Sequence, residues 1–145
     1  MKPSEARQRV AIAHVWPEIE GGRSPIKRIA GDTVAVEADI FADGHDAITA
    51  VLRYRPPTAR QWADVPMTVL GNDRRRGTFP VDELGRYRYT IAAWPDRFGT
   101  WRLDFAKWLA AGSDVRAQLA IAAGLVTDAA ARARGADRTA LRAAA

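Results

Sequence analysis

The chain has 145 residues, of which 48% are hydrophobic and 27% charged, and its formal net charge is +5. This length suffices for one domain, or for one domain with an appendage, and the composition is ordinary for a soluble globular protein. The absence of cysteine excludes disulfides and thiolate metal sites and fits a reducing compartment. No apolar run is long enough to span a membrane, and the polar opening residues lack a signal-peptide core, so we expect a cytoplasmic protein with no membrane partner.

The sequence pI near 10.2 raises the question of nucleic-acid binding. Charges of both signs are spread along the chain, however, so no basic face dominates. The one basic cluster, Arg74-Arg75-Arg76, stands between Asp73 and Gly77. We interpret it as a solvated hairpin rather than a phosphate contact, and we expect no nucleic-acid partner.

The first part of the chain shows the pattern of β-strands. Residues 10–16 form a short apolar run that ends at Pro17, and residues 17–28 contain Gly21-Gly22 and indicate a loop. Residues 33–41 alternate between apolar and polar side chains, as do residues 48–55. This alternation predicts two half-buried strands, with a turn at Asp43-Gly44 between them.

Further short strands follow. Residues 61–65 and 67–70 are predicted as strands, residues 71–73 as a turn, and residues 77–81 and 86–94 as the last two strands. About seven short strands with regular turns predict an antiparallel β-sandwich of the immunoglobulin type, and Tyr87 after Leu84-Gly85 is typical of the tyrosine corner of such folds.

From Thr100 onward the pattern becomes helical. Four apolar residues share one face of the first predicted helix: Trp101, Phe105, Trp108 and Leu109. Gly112 is predicted to end this helix, and Ser113 or Asp114 to cap a second one over residues 115–134. Residues 135–137 interrupt the helix before a third helical stretch. The predicted organisation is a sandwich over residues 1–99 and a helical extension over residues 100–145, with the stripe at an interface or under the sandwich.

No catalytic constellation is evident. The two histidines, His14 and His45, lie in a predicted strand and in a turn, and we interpret His14 as a core or edge residue. Asp43, His45 and Asp46 are suitable metal ligands, but they crowd one turn without a fourth ligand, so we predict a turn and no metal. No pattern for a cofactor or a phosphate loop is present.

Carboxylates and tryptophans are the remaining candidates for chemistry. The pairs Glu18/Glu20 and Asp82/Glu83 are predicted on a loop and a turn, and nothing in the pattern places either pair across a cleft as glycoside chemistry requires. Trp62, Trp94 and Trp101 lie near predicted strand ends or loops, where they could stack on sugars. Packing in the core or at an interface is the alternative, because tryptophan is usually mostly buried.

Several separate segments, taken in order, carry a family resemblance. They are residues 9–18, 21–23, 25–28, 39–46, 70–73, 79–89 and 96–98, together with Trp101. The chain resembles, from residue 9 to about 134, the N-terminal domain of the GlgE-type α-1,4-glucan:maltose-1-phosphate maltosyltransferases of the α-amylase-type glycoside hydrolase superfamily.

The resemblance implies a β-sandwich with added helices that helps to build a homodimer. Members of the family transfer maltosyl units from maltose 1-phosphate to α-1,4-glucan, and their catalytic carboxylates lie in a (β/α)8 barrel that follows this domain. The chain ends before such a barrel begins, so no catalytic residue is carried over to it. The leading hypothesis is an accessory and dimerisation domain, non-catalytic alone, whose partners are its own barrel and a second subunit. The alternatives are a stand-alone α-glucan-binding module, using Trp62 or Trp94, and a basic nucleic-acid binder that rests on pI alone.

Overall fold

The computed structural model describes residues 10–145, in which seven strands precede three helices. The elements are β1 (Val10–Trp16), β2 (Thr33–Ala42), β3 (Ile48–Arg55), β4 (Ala63–Pro66), β5 (Thr68–Gly71), β6 (Arg74–Pro80), β7 (Arg88–Pro95), α1 (Arg97–Ala110), α2 (Arg116–Arg132) and α3 (Gly135–Ala144). The strands through Pro95 form one compact unit, and Asp96–Ala145 form another.

The strand unit is an antiparallel sandwich of two sheets. The order of strands is β1-β2-β6-β5 in one sheet and β4-β3-β7 in the other. Packing of two antiparallel sheets over one core is the arrangement of immunoglobulin-like folds. The predicted β-sandwich followed by helices is therefore confirmed.

The core lies between the two sheets and follows from the alternation of side chains. The inward positions of β2 are all buried, as are those of the middle of β3. Phe79 on β6 is almost fully buried, and its ring stacks on that of Tyr54 with centroids 4.8 Å apart. The buried apolar residues of the cluster are Val34, Val36, Ala38, Ile40, Ala50, Leu52, Met67, Phe79 and Val81.

The tyrosine corner is confirmed. The Tyr87 hydroxyl accepts hydrogen bonds from the backbone N–H groups of Asp82 and Glu83, at 3.1 and 3.0 Å. The turn that leads to it depends on Gly85, whose φ is +140° and whose position leaves no room for a Cβ, since that atom would lie 2.7 Å from Pro57. This corner fixes the start of β7.

The turn predicted at residues 71–73 is confirmed, since Asn72 and Asp73 both have positive φ. The basic cluster lies on strand β6, the strand that follows this turn. Arg74 and Arg76 alternate with inward-facing Gly77, so they point away from the core.

The first helix starts earlier than predicted. It begins at Arg97 instead of Thr100 because Asp96 caps it, with its side chain accepting from the backbone N–H of Gly99 at 2.8 Å. It ends as predicted before Gly112, whose φ is +68°.

Two details of the later helices differ from the prediction. The N-cap of α2 is Val115 rather than Ser113 or Asp114, although the Asp114 carboxylate accepts from the backbone N–H of Arg116 at 3.0 Å. The interruption falls at Ala133 and Arg134, which are extended, and α3 already begins at Gly135. No helix of the described residues has the length and apolar character needed to cross a membrane.

Candidate functional site

The strand unit contains an open cavity of about 880 Å³ beside β1 and β7 and the loop after β1. Its lining includes apolar side chains such as Ile12, Phe79 and Ile91, together with the charged residues Glu18 and Arg88. This volume is within the range of small-molecule sites. Of the two carboxylate pairs considered in the sequence, Glu18/Glu20 and Asp82/Glu83, Glu18 borders this cavity. The sequence pattern did not indicate that placement.

Trp62 also borders this cavity and is 42% exposed. The guanidinium of Arg55 lies 5.2 Å from the centre of its ring. A cation over one face fixes the orientation of an indole and leaves the opposite face for other contacts. The geometry is therefore compatible with stacking on a flat ligand, the role that the sequence suggested.

Trp94, the second candidate for sugar stacking, is 45% exposed on β7. It lies opposite Thr49, whereas Arg88 lies opposite Arg55 next to Trp62. Six residues of extended strand separate Trp94 from Arg88, or roughly 20 Å. The structure therefore does not bring the two tryptophans into one compact platform.

The helical stripe is divided in its exposure. The Trp101 ring contacts Phe98 and Phe105, with centroid distances of 5.3 and 4.9 Å, and its Nε1 donates to the Gln118 carbonyl at 2.9 Å. Trp101 therefore joins α1 to α2 rather than offering an open ring face. Trp108 is half-buried, whereas Leu109 is 60% exposed and is the most accessible of the four stripe residues.

Two of the other candidate carboxylates, Glu20 and Glu83, make local hydrogen bonds. Glu20 accepts from the Ser24 hydroxyl at 2.7 Å, and Glu83 accepts from the Thr58 hydroxyl at 2.7 Å. Both contacts tie a loop or turn together. Among residues 10–145, no group of three or more His, Asp or Glu side chains is placed to hold a metal ion, and His45 lies in the turn between β2 and β3.

An ion-pair network covers the outward face of the four-stranded sheet. Arg74 bridges Glu37 and Asp39, with its Nε donating to Glu37 at 3.1 Å and its Nη1 to Asp39 at 3.0 Å. Arg76 Nε donates to Glu37 at 2.7 Å, and His14 Nδ1 contacts Asp39 at 2.8 Å. His14 is thus an exposed edge-strand residue.

The network shifts the titration of its carboxyls. The hydrogen bond from Arg76 is the main cause that lowers the pKa of Glu37, and the hydrogen bond with His14 is the main cause that lowers the pKa of Asp39. Both carboxylates are therefore held in their charged form, as partners of arginine rather than as acids. The two outer residues of the basic cluster are neutralised by this network, an outcome that composition alone could not show.

Comparison with known proteins identifies the family. A family model described as α-1,4-glucan:maltose-1-phosphate maltosyltransferase, domain N/S, matches residues 8–145. A protein of Chlorobaculum tepidum with that enzyme name is 48% identical over 136 residues, which are 94% of this chain and 20% of the relative. One of Myxococcus xanthus is 47% identical over 133 residues, 89% of this chain and 20% of the relative.

A more distant relative with the same name, from Burkholderia pseudomallei, is 35% identical over 94% of this chain and 12% of its own length. The chain therefore spans about a fifth or less of these relatives. It belongs to the α-1,4-glucan:maltose-1-phosphate maltosyltransferase, domain N/S, family and corresponds to the N-terminal domain of such enzymes.

Proposed function

We propose that the chain acts as a non-catalytic accessory and dimerisation domain of a cytoplasmic maltosyltransferase that transfers maltosyl units from maltose 1-phosphate to α-1,4-glucan. The observation that carries this proposal is the match of nearly the whole chain to about one fifth of enzymes with that name. Four of the carboxylates support it further, since Glu20 and Glu83 hold a loop and a turn while Glu37 and Asp39 pair with Arg74.

The direct test is an assay of the purified 145-residue chain with maltose 1-phosphate and a maltooligosaccharide acceptor. We expect no release of inorganic phosphate above the enzyme-free control, while a full-length relative measured in parallel releases it. Phosphate release that grows with the concentration of the purified chain would contradict a non-catalytic role.

The association surface is proposed to lie on α1. Leu103 and Leu109 are both exposed there, and Trp101 and Phe105 stiffen the same helix by packing together. Burial of large exposed apolar side chains against a second subunit would remove apolar area from water. Leu109, as the accessible member of the predicted stripe, is the residue to change.

We expect Leu109→Asp to shift the chain toward the monomer in analytical ultracentrifugation. Leu84→Asp is the matched control, because this substitution makes the same change of charge and polarity. Leu84 is 89% exposed and lies on a turn of the strand unit, away from α1 in the sequence. Equal mass distributions for wild type and Leu109→Asp over a wide concentration range would place the subunit contact elsewhere.

Binding of α-glucan is a second candidate function, favoured by the exposure of Trp62 and Trp94. We expect maltooligosaccharides to change tryptophan emission in the wild type, and Trp62→Ala or Trp94→Ala to remove that change. Trp16→Ala is the control, since Trp16 is also exposed. Unchanged emission at saturating sugar, with no retardation in a glucan-containing gel, would eliminate this function.

A further inference from the structure

Three arginines converge at one end of the three-stranded sheet. Arg55 is the last residue of β3, and its register partner is Arg88, the first residue of β7. Arg86 precedes Arg88 by two residues in the same approach to the strand. Because directly opposed residues of antiparallel strands have Cβ atoms about 5 Å apart, Arg55 and Arg88 start close together. All three arginines line one cavity.

These side chains line a concave site. Arg55, Arg86 and Arg88 border a shallow, open cavity of about 270 Å³, and the loop after β3 supplies the rest of its lining. The loop residues that complete the wall are Pro56, Pro57 and Ala59. The site is therefore rigid on one side, since proline fixes its own φ, and cationic on the other.

The backbone around the site is fastened at two points. Thr58 donates its hydroxyl hydrogen to the Glu83 carboxylate at 2.7 Å, which ties the loop after β3 to the turn before β7. Gly85 approaches Pro57 so closely that an added Cβ would lie 2.7 Å from the ring. Arg55 is in addition held over the Trp62 ring at 5.2 Å. The arginines are thus presented from backbone segments held in place before any ligand binds.

No described residue neutralises the three charges. None of the three takes part in a side-chain hydrogen bond or ion pair with another residue of 10–145, whereas Arg53, on the same strand, makes a two-point contact with Asp64 at 2.8 and 3.0 Å. Like charges directly opposite each other on neighbouring strands are destabilising. The Arg55–Trp62 contact offsets part of this cost for one of the three arginines, while no such contact is seen for Arg86 or Arg88 among the described residues. Local rules are broken most often at functional sites.

We propose that Arg55, Arg86 and Arg88 form a binding site for a phosphate group. Planar guanidinium forks donate paired hydrogen bonds to phosphate oxygens, and clusters of arginine are a recurring mode of phosphate recognition. A tetrahedral dianion offers an oxygen to each of three converging arginines and offsets their mutual repulsion, which a planar monoanionic carboxylate does less well. The three arginines border one cavity of about 270 Å³, which gives a single group of phosphate size all three as partners. This site is independent of the proposed maltosyltransferase role, because it stands on residues of this chain alone.

The test is calorimetric titration of the 145-residue chain with inorganic phosphate, at constant ionic strength maintained with chloride. We expect saturable binding with one site per chain, and a dissociation constant raised about tenfold or more in Arg55→Gln, Arg86→Gln and Arg88→Gln. Arg76→Gln is the matched control, since it makes the same charge change at an arginine that already has a carboxylate partner. Circular dichroism establishes that each variant is folded.

Two further titrations distinguish the source of the phosphate group. With glucose 1-phosphate as the probe, tighter binding than for inorganic phosphate that Trp62→Ala abolishes would identify a sugar phosphate, with the sugar beside Trp62. Equal binding of both probes would identify free phosphate, and both results support the site. Absence of saturable phosphate binding, or an equal loss of binding in Arg76→Gln, would overturn it.

Discussion

The outward face of the four-stranded sheet and one end of the three-stranded sheet use arginine in opposite ways. On the four-stranded sheet, Glu37 lies opposite Arg76 and Asp39 opposite Arg74, so strand register pairs each arginine with a carboxylate. On the three-stranded sheet, the same register rule sets Arg55 opposite Arg88. Cross-strand pairs of opposite charge stabilise a sheet and like pairs destabilise it. The first face is therefore a structural network. The three-stranded sheet pairs Arg53 with Asp64 in the same way, but at its Arg55–Arg88 end it holds charge available for a ligand.

Both sheets pack on the same core, so a substitution in that core is expected to change stability most. Phe79 on β6 contacts Tyr54 and Tyr89 of the other sheet and Tyr87 just before β7, with ring centroids 4.8 to 6.1 Å apart. We expect Phe79→Ala to lower the free energy of unfolding by about 3–5 kcal/mol, because it opens a cavity between the sheets. Chemical denaturation measures this change.

The control for that prediction is Phe41→Ala, which removes the same ring from an exposed position near the end of β2. Its cost should be far smaller, because much of the ring is already in contact with water. Similar costs for the two variants would mean that the sheets do not share the core described above.

Loss of the tyrosine corner is expected to have the second largest effect on stability, and it also affects the site formed by Arg55, Arg86 and Arg88. Tyr87→Phe removes the acceptor of two backbone N–H groups just before Arg88. We expect a loss of about 2 kcal/mol in the free energy of unfolding, since two neutral hydrogen bonds are removed and each contributes roughly 1 kcal/mol. Phosphate affinity should fall as well, because the turn that presents Arg86 and Arg88 loosens. A stability loss with unchanged phosphate affinity would show that the corner does not position the arginines.

The paired face is expected to respond to acid. The folded state lowers the pKa of Glu37 below its ordinary value of 4.5, chiefly through the hydrogen bond from Arg76, and that of Asp39 below 3.8, chiefly through His14. A lowered folded-state pKa gives stability that is fully present above the ordinary value and is lost as pH falls through the lowered value. The midpoint of thermal unfolding should therefore decrease as the pH is reduced below about 4.5.

Glu37→Gln tests the origin of that response. This variant should be less stable than the wild type at pH 7, because Arg74 and Arg76 lose a charged acceptor. It should also lose part of the decrease in acid, since one titrating group is gone. Parallel pH profiles for wild type and Glu37→Gln would assign the acid sensitivity to other carboxyls, of which Asp64 is a candidate because the hydrogen bond from Arg53 lowers its pKa.

The sequence predicted what depends on local pattern. Alternation in residues 33–41 located β2 and its buried positions, and Leu84-Gly85 before Tyr87 indicated the corner. The start of α1 at Arg97 could also have been predicted from the sequence. Asp96 is a good N-cap residue and stands three residues before Gly99, whose backbone N–H donates to it. Local chemistry and structure agree in all these cases.

The ion-pair network and the arginine cluster could not be predicted from the sequence, because both depend on the register between strands that are distant in the chain. Arg74 meets Glu37 and Asp39 across more than thirty positions of sequence, and a slip of one residue would turn every side chain to the other face. Arg74-Arg75-Arg76 is the one basic cluster evident in the sequence, yet carboxylates of β2 neutralise Arg74 and Arg76. Arg55 and Arg88 stand apart in the sequence, and only the pairing of β3 with β7 brings them together.

The smallest expected effect is also the sharpest test of the comparison. If Arg88 serves a ligand rather than the fold, then Arg88→Gln without phosphate should leave the unfolding midpoint unchanged or raise it slightly, because repulsion with Arg55 is relieved. Phosphate should raise the midpoint of the wild type by mass action and leave that of Arg88→Gln nearly unchanged. Arg76→Gln should behave in the opposite way, with a lower midpoint and an intact response to phosphate, because Glu37 loses one of its donors. Destabilisation by Arg88→Gln in phosphate-free buffer would mean that this arginine has a structural partner, and the contrast between the faces would fail.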